Sequence, residues 1–158
     1  GMILQAVNAH YAPRFAALYY KKETEKLERT ARKAVLLPAA VATPILLLLM
    51  AFPKQIMGLF GEEFVAAAPL LMIVAAAQFI NVATGPVAHL LMMSDHGKAA
   101  RNTALLGMLV SLAFCFLLIP EYGAFGAAIA HSLGLAIRNL VGVSFVKRYL
   151  GIKIWSFL

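Results

Sequence analysis

The chain has 158 residues, of which 62% are hydrophobic and 13% charged, with a net charge of +7 and a mean hydropathy of +0.82. Soluble domains average about 45–50% apolar and about 25% charged residues, so that class is excluded and an integral membrane protein is indicated. The excess of cations does not describe a nucleic-acid binder, because the basic residues gather in loops between apolar runs with no aromatic platform interleaved among them.

Gly1 ahead of Met2 reads as an added residue outside the fold. The opening GMILQAVNAHYAPRF lacks a basic leader before its apolar part, so no cleavable signal peptide is expected. Residues 2–20 are moderately apolar but carry Gln5, Asn8, His10 and Pro13. They are expected to form the last turns of a membrane helix or an interfacial helix. Residues 21–33, KKETEKLERTARK, place Glu25 with Arg29 and Glu28 with Arg32 at i,i+4 in the favourable order, which predicts a solvated, charged surface helix.

Ala34 to Phe52 is the first complete apolar run, long enough to cross a bilayer despite Pro38 and Pro44. The link PKQIMGLFGEEF is short and amphipathic and is expected to lie at the interface. Phe64 to Met93 then runs for thirty residues without a formal charge. Within it lie Gln78, Asn81, Thr84, the Gly85-Pro86 pair and His89. On a helical wheel Gln78, Gly85 and His89 fall within about 40° of one another, with Asn81 about 60° away. A polar stripe of this kind must face protein or water, because an unpaired polar group in hydrocarbon costs several kcal/mol. Gly85-Pro86 is expected to kink the helix, since proline has no N–H for the i−4 carbonyl and its ring clashes with it. Two readings of the stripe are open, a transport pathway and ordinary helix packing.

SDHGKAARN follows as a polar loop with Gly97 as its turn residue. Ala99 to Ile119 makes the third span, Pro120 to Gly123 a tight connection, and Ala124 to Val146 the fourth span, closed by Lys147-Arg148. In the tail YLGIKIWSFL, Trp155 suits a membrane–water boundary. The fold class expected is therefore all-α, a polytopic membrane helix bundle. It divides into an N-terminal partial or interfacial helix (2–20), a charged cytoplasmic segment (21–33), four transmembrane helices (34–147) and an interfacial tail (148–158). Twelve basic residues fall on the side of the charged segment, the loop after Met93 and the C-terminus, against Lys54 alone on the other side. That asymmetry predicts the basic side to be cytoplasmic.

The core of the third span, Thr103 to Ile119, is uncharged, which leaves Arg138 as the one formal charge well inside a predicted span. An intramembrane arginine costs on the order of 2.5 kcal/mol or more and faces a partner or a watery cavity. It shares a face of its helix with Ala124, Ala127, His131, Gly134 and Gly142, which admits two readings. One is close helix packing through small residues; the other is a cationic groove for a phosphate-bearing substrate, held by the guanidinium fork. His89 and His131 are candidates for a proton relay or for simple hydrogen-bonded packing. Asn81 and Asn139 are placed to bond across helices, at about 0.6 kcal/mol. The substrate-binding candidates are thus Arg138, Asn139, His131, Gln78, Asn81 and His89, with Gly85 and Pro86 as the kink. No carboxylate lies within a complete span, which argues against an acid-driven proton or sodium site. Cys115 has no partner in the chain and reads as a small packing residue. No zinc-protease motif, nucleophile elbow or phosphate-binding glycine loop is present, so no enzyme activity, metal or cofactor is expected.

Three stretches, PRFAALYYKKETEKLERTARKA, IMGLFGEEFVAAAPLLMIVAAAQFINVATGP and LIPEYGAFGAAIAHSL, together resemble the C-terminal portion of polysaccharide-biosynthesis membrane proteins. These are the O-antigen-type flippases of the multidrug/oligosaccharidyl-lipid/polysaccharide exporter superfamily. The most specific parts are the LFGEEF link from Leu59 to Phe64, Asn81 in the helix that follows, and the pattern Pro120, Gly123, Gly126, Ala127, Ala128. The resemblance implies part of the second six-helix lobe of a MATE-like transporter in the bacterial inner membrane. It also implies polyprenyl-diphosphate-linked saccharides as substrates, for lipopolysaccharide or other surface polysaccharide. Membrane lipid and the remaining helices of the transporter, or another membrane subunit, are the implied partners; nucleic acid is not. The length departs from the family pattern, fitting one helix end and four helices of that lobe. A drug or cation antiporter, a peptidoglycan-precursor flippase and a small four-helix membrane interaction protein are the alternative readings. The flippase reading expects Arg138 to face an inter-helix groove shared with Gln78 or Asn81.

Overall fold

The computed structural model describes residues 2–152 and 154, with side chains described from Ala9 onward. The described residues form helices and turns only: α1 (Met2–Tyr20), α2 (Thr24–Ala51), α3 (Pro53–Gly58), a 3₁₀ helix (Glu62–Ala67), α4 (Ala68–Thr84), α5 (Val87–Met93), α6 (Gly97–Tyr122) and α7 (Ala124–Leu150). Among the described residues four segments are long and apolar enough to cross a membrane: α2, the stretch Glu62–Met93, α6 and α7.

The charged run after Tyr20 is not a separate surface helix. Only residues 21–23 turn, and α2 continues from Thr24 through the first apolar run to Ala51. No glycine or helix-ending signal stands between Arg32 and Val35, so the backbone carries straight on while its surroundings change from water to apolar. Leu27, Ala31, Ala34, Val35 and Pro38 are buried at helical spacing, giving α2 one continuous inward stripe across that change. Of the two expected ion pairs, Glu28 with Arg32 closes at 2.6 Å. Glu25 and Arg29 form none among the described residues, and Glu23 pairs instead with Lys26 at 2.8 Å.

α1 stays helical through Pro13 and buries Tyr11 and Phe15, the latter completely. It packs against α2, which neighbours α4; α4 neighbours α7, and α7 lies along α6. The short α5 touches α1, α6 and α7. The buried apolar cluster sits where these elements meet. Phe15, Leu27, Val35, Leu90, Leu91 and Val146 are among its members; in a bilayer such side chains hold helices together by close packing rather than by transfer from water. His96 rests on Tyr149 with ring centroids 4.8 Å apart and Tyr19 approaches His96 at 6.4 Å. The α1–α2 turn, the α5–α6 turn and the end of α7 therefore share one end of the bundle. Lys21, Lys22, Lys98, Arg101, Lys147 and Arg148 all belong to that end, whereas Lys54, Glu62, Glu63 and Glu121 belong to the other.

The expected kink is a full break. α4 stops at Thr84 and α5 starts at Val87, with Gly85 at φ +68° between them. Val35 occupies the space a Cβ on Gly85 would need, so glycine is required there by both backbone and packing. At the other end of the bundle Gly123 alone joins α6 to α7, at φ +54°, its N–H donating to the Ile119 carbonyl at 2.8 Å. Pro120, Glu121 and Tyr122 remain in the last turn of α6. Trp155 and Lys153 lie outside the described residues.

Candidate functional site

α7 is the helix from which the polar groups of the membrane region are presented, and it presents them on two faces. Adjacent residues on a helix point about 100° apart, so Arg138 and Asn139 serve different neighbours. Asn139 is buried against α4, and its Nδ2 donates to Asn81 Oδ1 at 2.9 Å. Asn81 Nδ2 in turn donates to Gln78 Oε1 at 3.2 Å. The three amides form a ladder running from α7 to the half-buried Gln78 on α4. One turn further on, Thr84 donates back to the carbonyls of Ile80 and Asn81, both at 3.0 Å. That leaves the end of α4 satisfied from within, immediately before the break at Gly85.

Arg138 faces α6. The two helices lie in backbone contact: a Cβ added at Gly134 would stand 2.5 Å from the Gly107 carbonyl oxygen, and one at Gly107 would stand 2.8 Å from Arg138 Cβ. Gly126 fits against the Leu118 backbone in the same antiparallel register. Glycine at 107 thus makes room for the Arg138 stem. Between the helices runs a groove of about 350 Å³ whose polar groups are Ser111 and Cys115 from α6 and His131 and Arg138 from α7. The rest of its lining is aliphatic, methionine or glycine. Arg138 is half-buried, and its Nε is enclosed with no hydrogen-bond acceptor. His131 lines the same groove seven residues before Arg138 on α7. Arginine stays charged and offers parallel donors that match phosphate oxygens, so a groove lined by it and by no carboxylate suits an anion better than a cation.

The sequence-derived candidates therefore separate into two groups. Arg138 and His131 line the α6–α7 groove, while Gln78, Asn81 and Asn139 make the α4–α7 ladder. The expected groove exists, but its lining includes neither Gln78 nor Asn81, because α4 packs on the face of α7 that carries Asn139. His89, on α5, is half-buried and makes no hydrogen bond or ring contact with either group. Gly85 and Pro86 lie directly after the ladder on α4. Among the described residues no three His, Cys, Asp or Glu side chains come together as a metal site.

Sequence reasoning assigned nothing to His96, yet this residue ties three elements together at the basic end. Its Nδ1 lies 2.6 Å from the Ser94 carbonyl oxygen, and its ring packs between Tyr19 and Tyr149. Residues 19, 96 and 149 are too far apart in the chain to give any periodic signal. At the same end the Lys26 ammonium holds the Glu23 carboxyl below the ordinary carboxylate range. The hydrogen bond from Lys26 contributes most, and the charges of Lys26 and Lys21 add to it.

The MatE family model matches residues 1–117 of the chain. Among curated proteins, the chain is 27% identical over 153 residues to the "Probable low-salt glycan biosynthesis flippase Agl15" of Haloferax volcanii, covering 94% of this chain and 32% of that protein. It is 25% identical over 146 residues to the "Uncharacterized membrane protein MJ1068" of Methanocaldococcus jannaschii, covering 92% of this chain and 29% of that one. The chain thus spans about a third of the length of these relatives. No solved structure matches it.

Proposed function

The chain belongs to the MatE family, and from that premise we propose that it forms part of a flippase that moves a lipid-linked saccharide across a membrane for cell-surface glycan synthesis. The observation that carries this reading is Arg138, set between α6 and α7 in a groove whose other polar groups are Ser111, Cys115 and His131 and which has no carboxylate in its lining. A polyprenyl-diphosphate-linked sugar combines a lipid tail, which suits the exposed apolar faces of α2 and α6, with a diphosphate that suits the arginine. The Haloferax volcanii relative, named a probable glycan biosynthesis flippase, supports the same class. Gln78, Asn81 and Asn139 offer amide groups of the kind that bond sugar hydroxyls, and Gln78 is the open end of their ladder. His131 lines the same groove two turns before Arg138, and His89 is left as a satellite on α5. The break at Gly85-Pro86 divides the span into α4, bonded to α7, and α5, seated in the core.

The basic end of the bundle is assigned to the cytoplasm, because cations near membrane helices are retained on that side. The remaining helices of the transporter are the partners that complete a cavity around the lipid-linked substrate. A drug or cation antiporter fits less well: its cargo is positive, and an arginine without a facing carboxylate has the wrong sign. A peptidoglycan-precursor flippase would use the same diphosphate chemistry, so substrate competition separates it from the saccharide reading. Complementation decides between transport and a purely structural bundle. A flippase-deficient strain should be rescued by the full-length gene and lose rescue with Arg138→Ala at equal protein level. Undiminished rescue by Arg138→Ala would remove the arginine from the mechanism.

A further inference from the structure

We propose that the pocket between the end of α1 and the start of α2 is a site for an anionic phospholipid of the surrounding bilayer, with Lys22 receiving the lipid phosphate. The site shares no residue with the α6–α7 groove and does not depend on how that groove is read.

The backbone singles out Lys22. α1 ends with the Lys22 N–H donating to the Tyr19 carbonyl at 2.9 Å and the Glu23 N–H to the Leu18 carbonyl at 3.1 Å, the paired bonds of a left-handed helix stop. Glycine takes the left-handed position at least cost, as Gly151 does at φ +67° after α7, yet here a lysine holds it at φ +57°. Among the described residues Asp95 is the other non-glycine residue at positive φ, and aspartate tolerates it through its short polar side chain. A long aliphatic cation has no such compensation within the turn, and Lys22 makes no ion pair among the described residues.

The pocket gives that cation a use. It encloses about 440 Å³ and is lined by Leu18, Tyr19, Tyr20, Lys22, Thr24 and Leu27, which bring one cation, hydroxyl groups and two leucines but no carboxylate. The adjacent Glu23 carboxylate is engaged by Lys26 at 2.8 Å. Tyr20 is 71% exposed, so no protein element covers that side. The depth suits a lipid headgroup. The Tyr19 ring lies 6.4 Å from the His96 ring, which lies 4.8 Å from that of Tyr149. Tyr149 is three residues, about 4.5 Å, beyond Val146, where the apolar run of α7 ends. The pocket is therefore level with the passage of the spans from hydrocarbon into headgroups, where tyrosine rings and lysine ammonium groups are favoured. An ammonium and hydroxyl donors suit a phosphate diester, the leucines suit the first methylenes of its chains, and basic pockets between helices at a membrane surface take anionic headgroups on these terms.

Native mass spectrometry of the full chain in detergent micelles tests this, with palmitoyl-oleoyl-phosphatidylglycerol as the anionic probe and palmitoyl-oleoyl-phosphatidylcholine as the zwitterionic reference. The native sequence should retain phosphatidylglycerol over phosphatidylcholine, and Lys22→Gln should lower that preference by roughly fivefold, the worth of one lysine at a lipid surface. Lys22→Gly should lower it equally while making the fold more resistant to SDS, because glycine relieves the left-handed turn; the lost preference in that variant is then not a lost fold. Lys21→Gln is the control, since it removes a neighbouring exposed cation that lies outside the pocket lining, and it should keep most of the preference. An equal loss in Lys21→Gln would assign the attraction to the general positive field of this end of the bundle and overturn the site. A preference kept by both Lys22 variants, or absent from the native chain, overturns it as well. Glycerol 3-phosphate at the same concentration should fail to displace the lipid; displacement would make the ligand a soluble phosphate ester and overturn the lipid assignment.

Discussion

Replacing Gly134 by alanine adds a single methyl group where α6 and α7 touch. A Cβ there would stand 2.5 Å from the Gly107 carbonyl oxygen and 2.7 Å from Ser111 Cβ, whereas ordinary contact begins near 3.4 Å. The helices must therefore part by roughly 0.9 Å at the crossing, or bend around it. Overpacking of this kind costs about 1–3 kcal/mol. Alanine recovers up to about 1 kcal/mol through its better helix propensity, so a net loss of about 1–2 kcal/mol is expected. Gly97→Ala is the matched control, because no atom lies within 4 Å of its added Cβ. There alanine only restricts the unfolded chain, and a gain of about 0.4–1 kcal/mol is expected. Unfolding in mixed micelles with rising SDS, followed by circular dichroism, measures both. If Gly134→Ala proved as stable as Gly97→Ala, the backbone contact described between α6 and α7 would be wrong.

Asn139→Leu should destabilise the fold by about 0.6–1.7 kcal/mol, and a double-mutant cycle with Asn81→Leu should return a coupling of about 0.6 kcal/mol; additive effects would disprove the cross-helix bond. Glu23 has a carboxyl held below its ordinary range by Lys26. The order it gives to the α1–α2 turn is present above the ordinary carboxylate range and is lost as pH falls through the depressed value. Carboxyl NMR shifts should show Glu23 titrating below the ordinary carboxylate range, and Lys26→Ala should raise it toward that range. Single cysteines in place of Lys98 and Arg148, in a Cys115→Ser background, should react with an impermeant maleimide from the same side of the membrane, and one in place of Lys54 from the other. Labelling of all three from one side would overturn the topology.

Much of the architecture could be read from local pattern. Uncharged runs bounded by charges marked the spans, and Gly85-Pro86 marked a break, because glycine and proline act on the backbone where they stand. The continuity of α2 was not legible in composition: a helix passing from water to apolar surroundings changes its side chains abruptly while its hydrogen-bond ladder does not change at all. α1 looked marginal by its Gln5, Asn8, His10 and Pro13, yet Tyr11 and Phe15 seat it in the core, which only the partners on α2 and α5 reveal. For the site, the cross-helix pairing of Asn81 with Asn139 followed from two amides in apolar spans that each need a partner. Which neighbour Arg138 would meet did not follow. A wheel separates residues 138 and 139 but does not say that α6 lies on one side and α4 on the other.

Gly107, Gly126 and Gly134 bring two backbones together with no layer of side chains between them. Packed helices slide past one another by letting intervening side chains change rotamer, and that lubricating layer is absent here, so α6 and α7 behave as a single plank. Any rearrangement that opens this part of the protein must then be absorbed at a joint beside the plank. Gly85-Pro86, where the ladder of α4 ends and that of α5 starts on the Pro86 carbonyl, is such a joint within the stretch Glu62–Met93.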